Sequence, residues 1–110
     1  MVIYMSVIEA LLSKEEKRNE NMIIEYNREL ETLPKGSVKP KKVNGKIYYY
    51  LIFRKGKKVI TKYIGKDEGL LIPVKEQLER RKQVEEILKK LKEEKFQIKK
   101  LEALYAVISW

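Results

Sequence analysis

Cations and aromatic rings are the residues of this sequence best suited to chemistry, and they are gathered in KGSVKPKKVNGKIYYYLIFRKGKKVITKYIGK, residues 35–66. The segment holds eleven Lys and Arg residues and no Asp or Glu, with three consecutive tyrosines in its middle. Ammonium and guanidinium groups neutralise phosphates and release counterions. Tyrosine rings stack on bases, and their hydroxyls reach phosphate oxygens. The composition therefore favours binding of a phosphate-bearing polymer.

The excess positive charge of the chain is confined to this segment. Residues 1–33 hold 4 basic and 7 acidic side chains, residues 34–66 hold 11 basic and none acidic, and residues 67–110 hold 10 basic and 9 acidic. The middle third therefore carries +11, more than the +9 of the whole chain. Solubility does not require so long a run without a carboxylate, so we interpret the segment as a nucleic-acid-binding surface.

Catalysis lacks its usual groups in this sequence. The chain has no His and no Cys, which removes the commonest general base, the commonest transition-metal ligand and thiolate chemistry. A metal site built on several Asp residues is excluded because Asp67 is the single aspartate, and of five arginines only Arg54 lies in the basic segment. The spacing of a phosphate-binding loop is absent. We expect a protein that is not an enzyme, with no cofactor, metal or small-molecule substrate.

Length and composition indicate one folded domain over residues 1–110. The chain is 44% hydrophobic and 37% charged, which is typical of a folded, helix-rich protein. The lack of Cys fits an intracellular, cytoplasmic location. The apolar start MVIYMSVIEALL is interrupted by Glu9 and is shorter than the roughly 20 residues that cross a bilayer. We therefore interpret it as a helix that docks on another surface, not as a membrane anchor.

The first third of the chain, residues 1–33, predicts helical structure. Ser6 with Glu9, and Ser13 with Glu16, are capping-box pairs, so a helix could start at either serine. This leaves open one helix, a helix kinked near Ser13, or two helices. Apolar residues at helical spacing follow, until the proline of LPKG disfavours helical geometry in the residue before it.

The last third, residues 70–110, predicts one long helix that opens near Pro73. Its apolar residues recur at coiled-coil spacing, and Leu78, Leu88 and Leu104 widen the stripe. Such a seam is longer than one small domain needs, so together with the apolar start it predicts a homodimer through the helices. The seam residues are Val84, Ile87, Leu91, Ile98, Leu101, Tyr105 and Ile108.

The middle third has an alternation of period two that predicts three antiparallel strands. Asn44-Gly45 is a strong hairpin signal, because both residues accept the positive φ of a type I′ turn. We expect a second two-residue turn at Lys55-Gly56. The predicted fold is therefore α+β: an N-terminal helix, a three-stranded antiparallel meander and a long C-terminal helix with a coiled-coil-like seam. The strands are expected at 38–43, 46–54 and 57–64.

Alternation along the strands sorts the segment into two faces. The predicted turns pair Tyr48 with both Lys41 and Tyr63. They pair Tyr50 with Thr61. One face collects aliphatic residues that a helix can cover, and the other places tyrosines among cations. The predicted nucleic-acid-binding residues on this second face are Lys39, Lys41, Lys46, Tyr48, Tyr50, Arg54, Lys57 and Tyr63.

Other interpretations of the segment stay open. Tyrosines are ordinary strand formers and lysines protect sheet edges, so the sheet could serve solubility alone. The helices would then form the working surface of a structural or protein-interaction module. An anionic membrane surface or an acidic protein partner also fits the charge. Phosphate binding weakens steeply with salt and a helical contact does not, which separates the two main hypotheses.

The stretch from LPKGSV to KYIGK, residues 33–66, resembles a motif of small bacterial and archaeal proteins of unassigned function, with the form helix, LPKGS, YYYL-x-YR-x-GKKV, KYIGK, long helix. A similar segment opens some insertion-element transposases, and the layout is like the three-stranded arm-binding domains of integrases. The resemblance implies DNA rather than RNA as ligand, and no transposase catalytic region is present. Phe53 stands where the motif often has a tyrosine, which removes one hydroxyl. The matching residues are Tyr48, Tyr49, Tyr50, Leu51, Arg54, Gly56, Lys57, Lys58, Val59, Lys62, Tyr63, Ile64, Gly65 and Lys66.

Overall fold

The computed structural model describes the backbone of residues 2–108 and the side chains of residues 7–108. It has an N-terminal helix, a three-stranded antiparallel sheet and a long C-terminal helix, so the predicted α+β fold is confirmed. No described helix is both long and apolar enough to cross a membrane. The elements are α1 Val2–Thr32, β1 Ser37–Val43, β2 Lys46–Lys55, β3 Lys58–Gly65, a short 3₁₀ helix Glu68–Leu70 and α2 Leu71–Ile108.

The chain folds into two compact units. The helix unit comprises the residues up to Leu30 together with those from Val84 onward, and the sheet unit comprises Glu31–Gln83. The beginning of α2 therefore belongs to the sheet unit, and its larger part belongs to the helix unit. The expectation of a single domain over residues 1–110 stays a prediction.

The helix unit is an antiparallel pair. Asn19 of α1 donates from Nδ2 to the carbonyl oxygen of Leu91, at 2.8 Å. One turn earlier on α1, Glu16 accepts from Lys99 Nζ at 2.7 Å, two turns later on α2. The contacts thus run in opposite directions along the two helices. The core of the pair contains Asn19, which is fully buried, and the aliphatic residues Val84, Leu88, Leu91 and Ile98.

This core uses only part of the predicted seam. The row from Val84 through Leu91 to Ile98 is buried within one chain, whereas Leu101 and Ile108 are exposed. The reason is that two helices bury one stripe each, so that apolar residues beside the stripe stay uncovered. The seam is therefore not a free surface along its whole length.

α1 begins earlier than the sequence predicted. It starts at Val2 and continues through Ser6 and Ser13 without a break, so the helix starts predicted at those serines are wrong. A capping-box pair is also tolerated inside a helix when strong helix formers flank it. The predicted end before the proline is confirmed, because α1 ends at Thr32. The predicted docking of MVIYM and the extension of α2 to Trp110 lie outside the described side chains and residues.

The first hairpin of the sheet unit has the predicted turn. Asn44 and Gly45 have φ angles of 51° and 80°, the positive values that a type I′ turn requires. β1 and β2 then pair in the predicted register, with Val43 opposite Lys46.

The second turn lies one residue later than predicted, at Gly56-Lys57 instead of Lys55-Gly56. Gly56 has a φ of 64°, and Asn44 is the only non-glycine residue with positive φ between residues 2 and 108. Positive φ at the first central position alone is the pattern of a type II′ turn, which takes glycine there. A type I′ turn at the predicted place would have required positive φ at Lys55, which is unfavourable for a lysine.

One face of the sheet lies against the start of α2 within the sheet unit. Leu51 of β2 and Leu71 of α2 are buried, and Val38 of β1 lines a cleft together with Leu78 of α2. α2 begins two residues before the predicted proline start. Gly36 allows close approach at the beginning of β1, because its φ is 112° and a Cβ there would collide with the backbone of β2.

Two carboxyl groups meet in the helix unit. Hydrogen bonds with Lys99 and then with Glu102 lower the pKa of Glu16. The hydrogen bond to Glu16 raises the pKa of Glu102, followed by burial and by the negative charge of Glu16. The Oε1 atom of Glu102 is buried and has no hydrogen-bond partner. The pair therefore retains a proton more readily than two separate glutamates would.

Replacing Gly45 by Val tests the first turn. A Cβ at this position meets no atom within 4 Å, so a loss must come from the backbone. A β-branched residue resists the φ of 80°, and we expect Gly45→Val to lower the free energy of unfolding in urea by about 1–3 kcal/mol. Gly45→Asn is the control and should lose much less, because asparagine tolerates left-handed backbone. Equal losses would contradict the turn assignment.

We expect Glu102→Gln to stabilise the protein near neutral pH. Because the folded-state pKa of Glu102 is raised, its contribution to stability is full below the ordinary value of 4.5 and is lost as the pH rises through the folded-state pKa. Glutamine stays neutral and avoids this loss. Glu16 has the opposite sign: its lowered pKa contributes stability above 4.5 that is lost as the pH falls through the folded-state value.

Urea unfolding at about pH 7.5 and about pH 4 measures this difference. Glu102→Gln should be more stable than the wild type at the higher pH, and the gain should shrink at the lower pH. Glu86→Gln, an exposed change on the same helix, is the matched control and should bring no such gain. A Glu102→Gln protein that is no more stable than the wild type at neutral pH would contradict the proton-sharing pair.

Candidate nucleic-acid interface

Seven of the eight predicted binding residues lie on one surface of the sheet, here named the tyrosine face. Tyr50 of β2 lies between Lys39 of β1 and Tyr63 of β3, and Lys41 lies opposite Tyr48 as predicted. The predicted pairing of Tyr48 with Tyr63 is wrong, because the second turn is shifted. The tyrosine face consists of Ser37, Lys39, Lys41, Val43, Lys46, Tyr48, Tyr50, Ile52, Arg54, Val59, Thr61 and Tyr63.

The shift changes the partners but not the faces. Thr61 lies opposite Ile52 and not opposite Tyr50, so that predicted pair is also wrong. The register moves by two residues, and an even shift keeps each side chain on the same face. Lys57 is the exception, since it lies in the turn and not in β3. The other seven predicted residues share the tyrosine face.

The three consecutive tyrosines have different surroundings. Tyr48 and Tyr50 lie on the tyrosine face, and Tyr49 lies on the opposite one. The Tyr49 hydroxyl donates to Glu68 Oε1 at 3.2 Å. Burial, and then the Glu68 carboxylate, raise the pKa of Tyr49. The middle tyrosine therefore contacts the segment after β3, whereas its two neighbours lie on the tyrosine face.

The rings on the tyrosine face form a cluster. The centroids of Tyr50 and Tyr63 are 5.5 Å apart with their planes at 57°, and those of Tyr48 and Tyr63 are 6.3 Å apart at 51°. These tilted arrangements are the favoured ones for aromatic pairs. Tyr63 is 51% exposed, and the other two rings are half-buried. The cluster is thus a packed ridge with one ring open to solvent.

Cations lie on both faces of the sheet, so charge alone does not distinguish them. Lys39, Lys41, Lys46 and Arg54 are exposed on the tyrosine face. The distinguishing feature of this face is its ring cluster, because exposed aliphatic side chains lie on both faces: Val59 is 59% exposed on the tyrosine face and Ile47 is 48% exposed on the opposite one. The opposite face has four exposed lysines of its own, Lys42, Lys55, Lys58 and Lys62.

One polar member of the tyrosine face was missed from the sequence. β1 begins at Ser37, one residue before the predicted strand, and Ser37 lies opposite Ile52. Ser37 stands two residues before Lys39, and this spacing in a strand could have placed it on the same face from the sequence. Among the described residues, no group of three or more acidic side chains could hold a metal ion. The face offers cations, hydroxyls and aliphatic surface.

A family model matches more than half of the chain. It covers residues 8–71 and is described as a domain of unknown function (DUF6788). The chain belongs to this family. The DUF6788 match spans α1 from its second turn, the whole sheet and the first residue of α2. No curated protein and no solved structure matches the chain.

The DUF6788 match includes every residue of the tyrosine face. The family description assigns no activity, so function has to be argued from the geometry of the face itself. The resemblance to transposase and integrase segments stays a prediction.

Proposed function

We propose that this DUF6788 protein binds duplex DNA through the tyrosine face and performs no catalytic step. The observation that carries the proposal is the meeting of four exposed cations and three clustered tyrosine rings on one face of the sheet. Cations supply affinity for phosphates, and side chains between them contact the groove. The proposal implies a cytoplasmic protein, where DNA is accessible.

The width of the sheet supports a duplex as ligand. Neighbouring strands are spaced by about 4.8 Å, so three strands span roughly 10 Å between the outer two. The major groove of B-form DNA is about 12 Å wide and admits β-strands. The deep and narrow major groove of A-form RNA does not admit side chains in this way. The dimensions therefore favour duplex DNA over duplex RNA.

The packing of the rings argues against a single strand as the main ligand. Platforms for single strands offer ring faces on which successive bases stack. Here Tyr48 and Tyr50 are half-buried, and both lean on Tyr63 at tilted angles. Rings in this arrangement are better suited to contact sugars and phosphates with their edges and hydroxyls.

Each part of the tyrosine face has a proposed role. The cations Lys39, Lys41, Lys46 and Arg54 contact phosphates, and Lys57 in the turn extends this row. The exposed Val59 offers the apolar contact that a thymine methyl group accepts. Phosphate contacts set the position of the sheet, and groove contacts provide any sequence preference.

The rival hypothesis is a helical structural or protein-interaction module with a sheet that serves solubility. It does not explain why three tyrosine rings cluster among cations on one face of the sheet. It predicts no steep salt dependence, and this makes the two hypotheses separable in one titration.

Lys41 and Lys42 offer a matched pair of substitutions for that titration. They are neighbours on β1, both are exposed, and they lie on opposite faces of the sheet. Lys41→Glu and Lys42→Glu change the net charge equally. Four to five phosphate contacts predict a slope of roughly −4 for log affinity against log salt. We expect Lys41→Glu to reduce the slope by about 1 and Lys42→Glu to leave it unchanged.

Fluorescence anisotropy with a labelled duplex measures both slopes, with single-stranded DNA and duplex RNA as comparison ligands. Equal effects of the two substitutions would mean that net charge, and not the tyrosine face, attracts DNA. If single-stranded DNA binds more tightly than the duplex, single-stranded DNA and not duplex DNA is the ligand of the tyrosine face. No binding of any nucleic acid at about 50 mM salt would contradict the proposal and favour the helical module.

Tyr63→Phe tests the exposed ring without removing its packing. The substitution keeps the ring contacts with Tyr48 and Tyr50 and deletes one hydroxyl. We expect an unchanged melting temperature and a loss of about 0.5–1.5 kcal/mol in duplex binding, the range for one hydrogen bond. Unchanged binding by Tyr63→Phe would show that this hydroxyl does not contact the ligand.

A further inference from the structure

An aliphatic patch lies at the end of the helix unit near the helix termini. Its five side chains, two from α1 and three from α2, are between 44% and 60% exposed. Together they expose apolar surface on the order of 500 Å², at the upper end for a typical monomer, where patches of this size mark interaction sites. The aliphatic patch consists of Val7, Leu11, Leu101, Leu104 and Ile108.

The contacts between the helices place these residues on one side of the pair. Arg18 of α1 and Glu94 of α2 form an ion pair at 2.6 Å, which marks that side. On α1, Leu11 stands seven residues before Arg18, and Val7 stands one turn further. On α2, the patch residues stand seven, ten and fourteen residues after Glu94. Spacings of seven, eleven and fourteen residues keep a residue on the same side of a helix, and Leu104 lies beside them, three residues after Leu101 and four before Ile108. The ion pair of Lys99 with Glu16 lies on the other side.

The described part of the chain does not cover this patch. The residues of the predicted seam that could have formed a dimer contact, Val84, Leu91 and Ile98, are already buried in the core of the helix pair. A two-helix unit buries only one stripe on each helix, and bundles complete their cores with further helices. The patch is the surface against which a second helix pair would complete such a core.

Charge indicates that the second pair is another copy of this chain. The helix unit has 10 basic and 11 acidic residues, a net charge of −1. The sheet unit has 15 basic and 5 acidic residues, a net charge of +10. Two copies that meet through their helix units avoid the repulsion between like-charged units that contact through the sheets would bring. The patch itself has no charge that would select an acidic or a basic partner.

We propose that the aliphatic patch is the contact of a homodimer, in which two copies bury their patches against each other around a two-fold axis. A two-fold contact uses the same surface on both copies, and an uncharged apolar patch is complementary to itself. Two such patches bury on the order of 1,000 Å², at the lower limit for a specific interface. The dimer is thus one of modest affinity. This inference does not rest on the proposed DNA binding.

Sedimentation velocity without nucleic acid tests the dimer from about 1 to about 200 μM, a range that brackets a micromolar dissociation constant. The wild type should pass from monomer to dimer. Leu104→Lys should remain monomeric, because it puts a charge into the contact. Ala103→Lys is the matched control: Ala103 is exposed on the same helix, two residues after Leu101 and five before Ile108, and these spacings place it on the other side of α2, so dimerisation should persist.

A cross-linking experiment keeps the proposal testable if the lysine variant unfolds. The chain has no cysteine, so Leu104→Cys and Ala103→Cys each introduce a single thiol. A short bismaleimide should link Leu104→Cys into dimers and leave Ala103→Cys unlinked. A wild type that stays monomeric at all concentrations, or equal behaviour of the two positions in both experiments, would overturn the proposal. A monomer that retains DNA binding would overturn the dimer and leave the proposed function standing.

Discussion

The sheet depends on a backbone constraint at its two turns. Only a few residues accept positive φ, and in this chain Asn44, Gly45 and Gly56 do so in the turns. Each turn fixes which residue of one strand lies opposite which residue of the next. Because side chains alternate along a strand, this register also decides which residues share a face. The tyrosine face is therefore a consequence of glycine and asparagine positions as much as of tyrosines and lysines.

Local patterns in the sequence predict the elements and the first hairpin well, because Asn-Gly and the alternation of period two act over a few residues. The second register could not be predicted in the same way. A Lys-Gly-Lys sequence accepts glycine at either central position, and only the geometry of a type II′ turn selects Gly56 as the first. The predicted faces are still correct because the register shift is an even number of residues. The prediction for Lys57 is wrong, because its place in β3 depended on the position of the turn.

The helices were predictable as helices, but their ends and contacts were not. The serines that resemble caps lie inside α1, where the stability of a long packed helix outweighs a local capping preference. The heptad pattern marked the buried row of Val84, Leu91 and Ile98 correctly. It could not say that α1 of the same chain would cover that row and leave Leu101 and Ile108 exposed. Which helix covers a stripe is a property of the tertiary fold and not of the spacing.

Adjacent residues of a strand, such as Lys41 and Lys42 of β1, lie on opposite faces of the sheet. This alternation limits how the length of a strand can change. Insertion or deletion of a single residue within a strand moves every residue beyond it to the other face. In β1 such a change would bring Lys42 to the surface now occupied by Lys41, and in β3 it would bring Lys62 to the surface now occupied by Tyr63. In β2 it would move Tyr48 and Tyr50 to the opposite face. Changes of two residues would preserve both surfaces. Length variation within the strands is therefore expected in even steps, except where a β-bulge absorbs one extra residue, as at the register shift between Tyr49 and Tyr50 of β2 against β3.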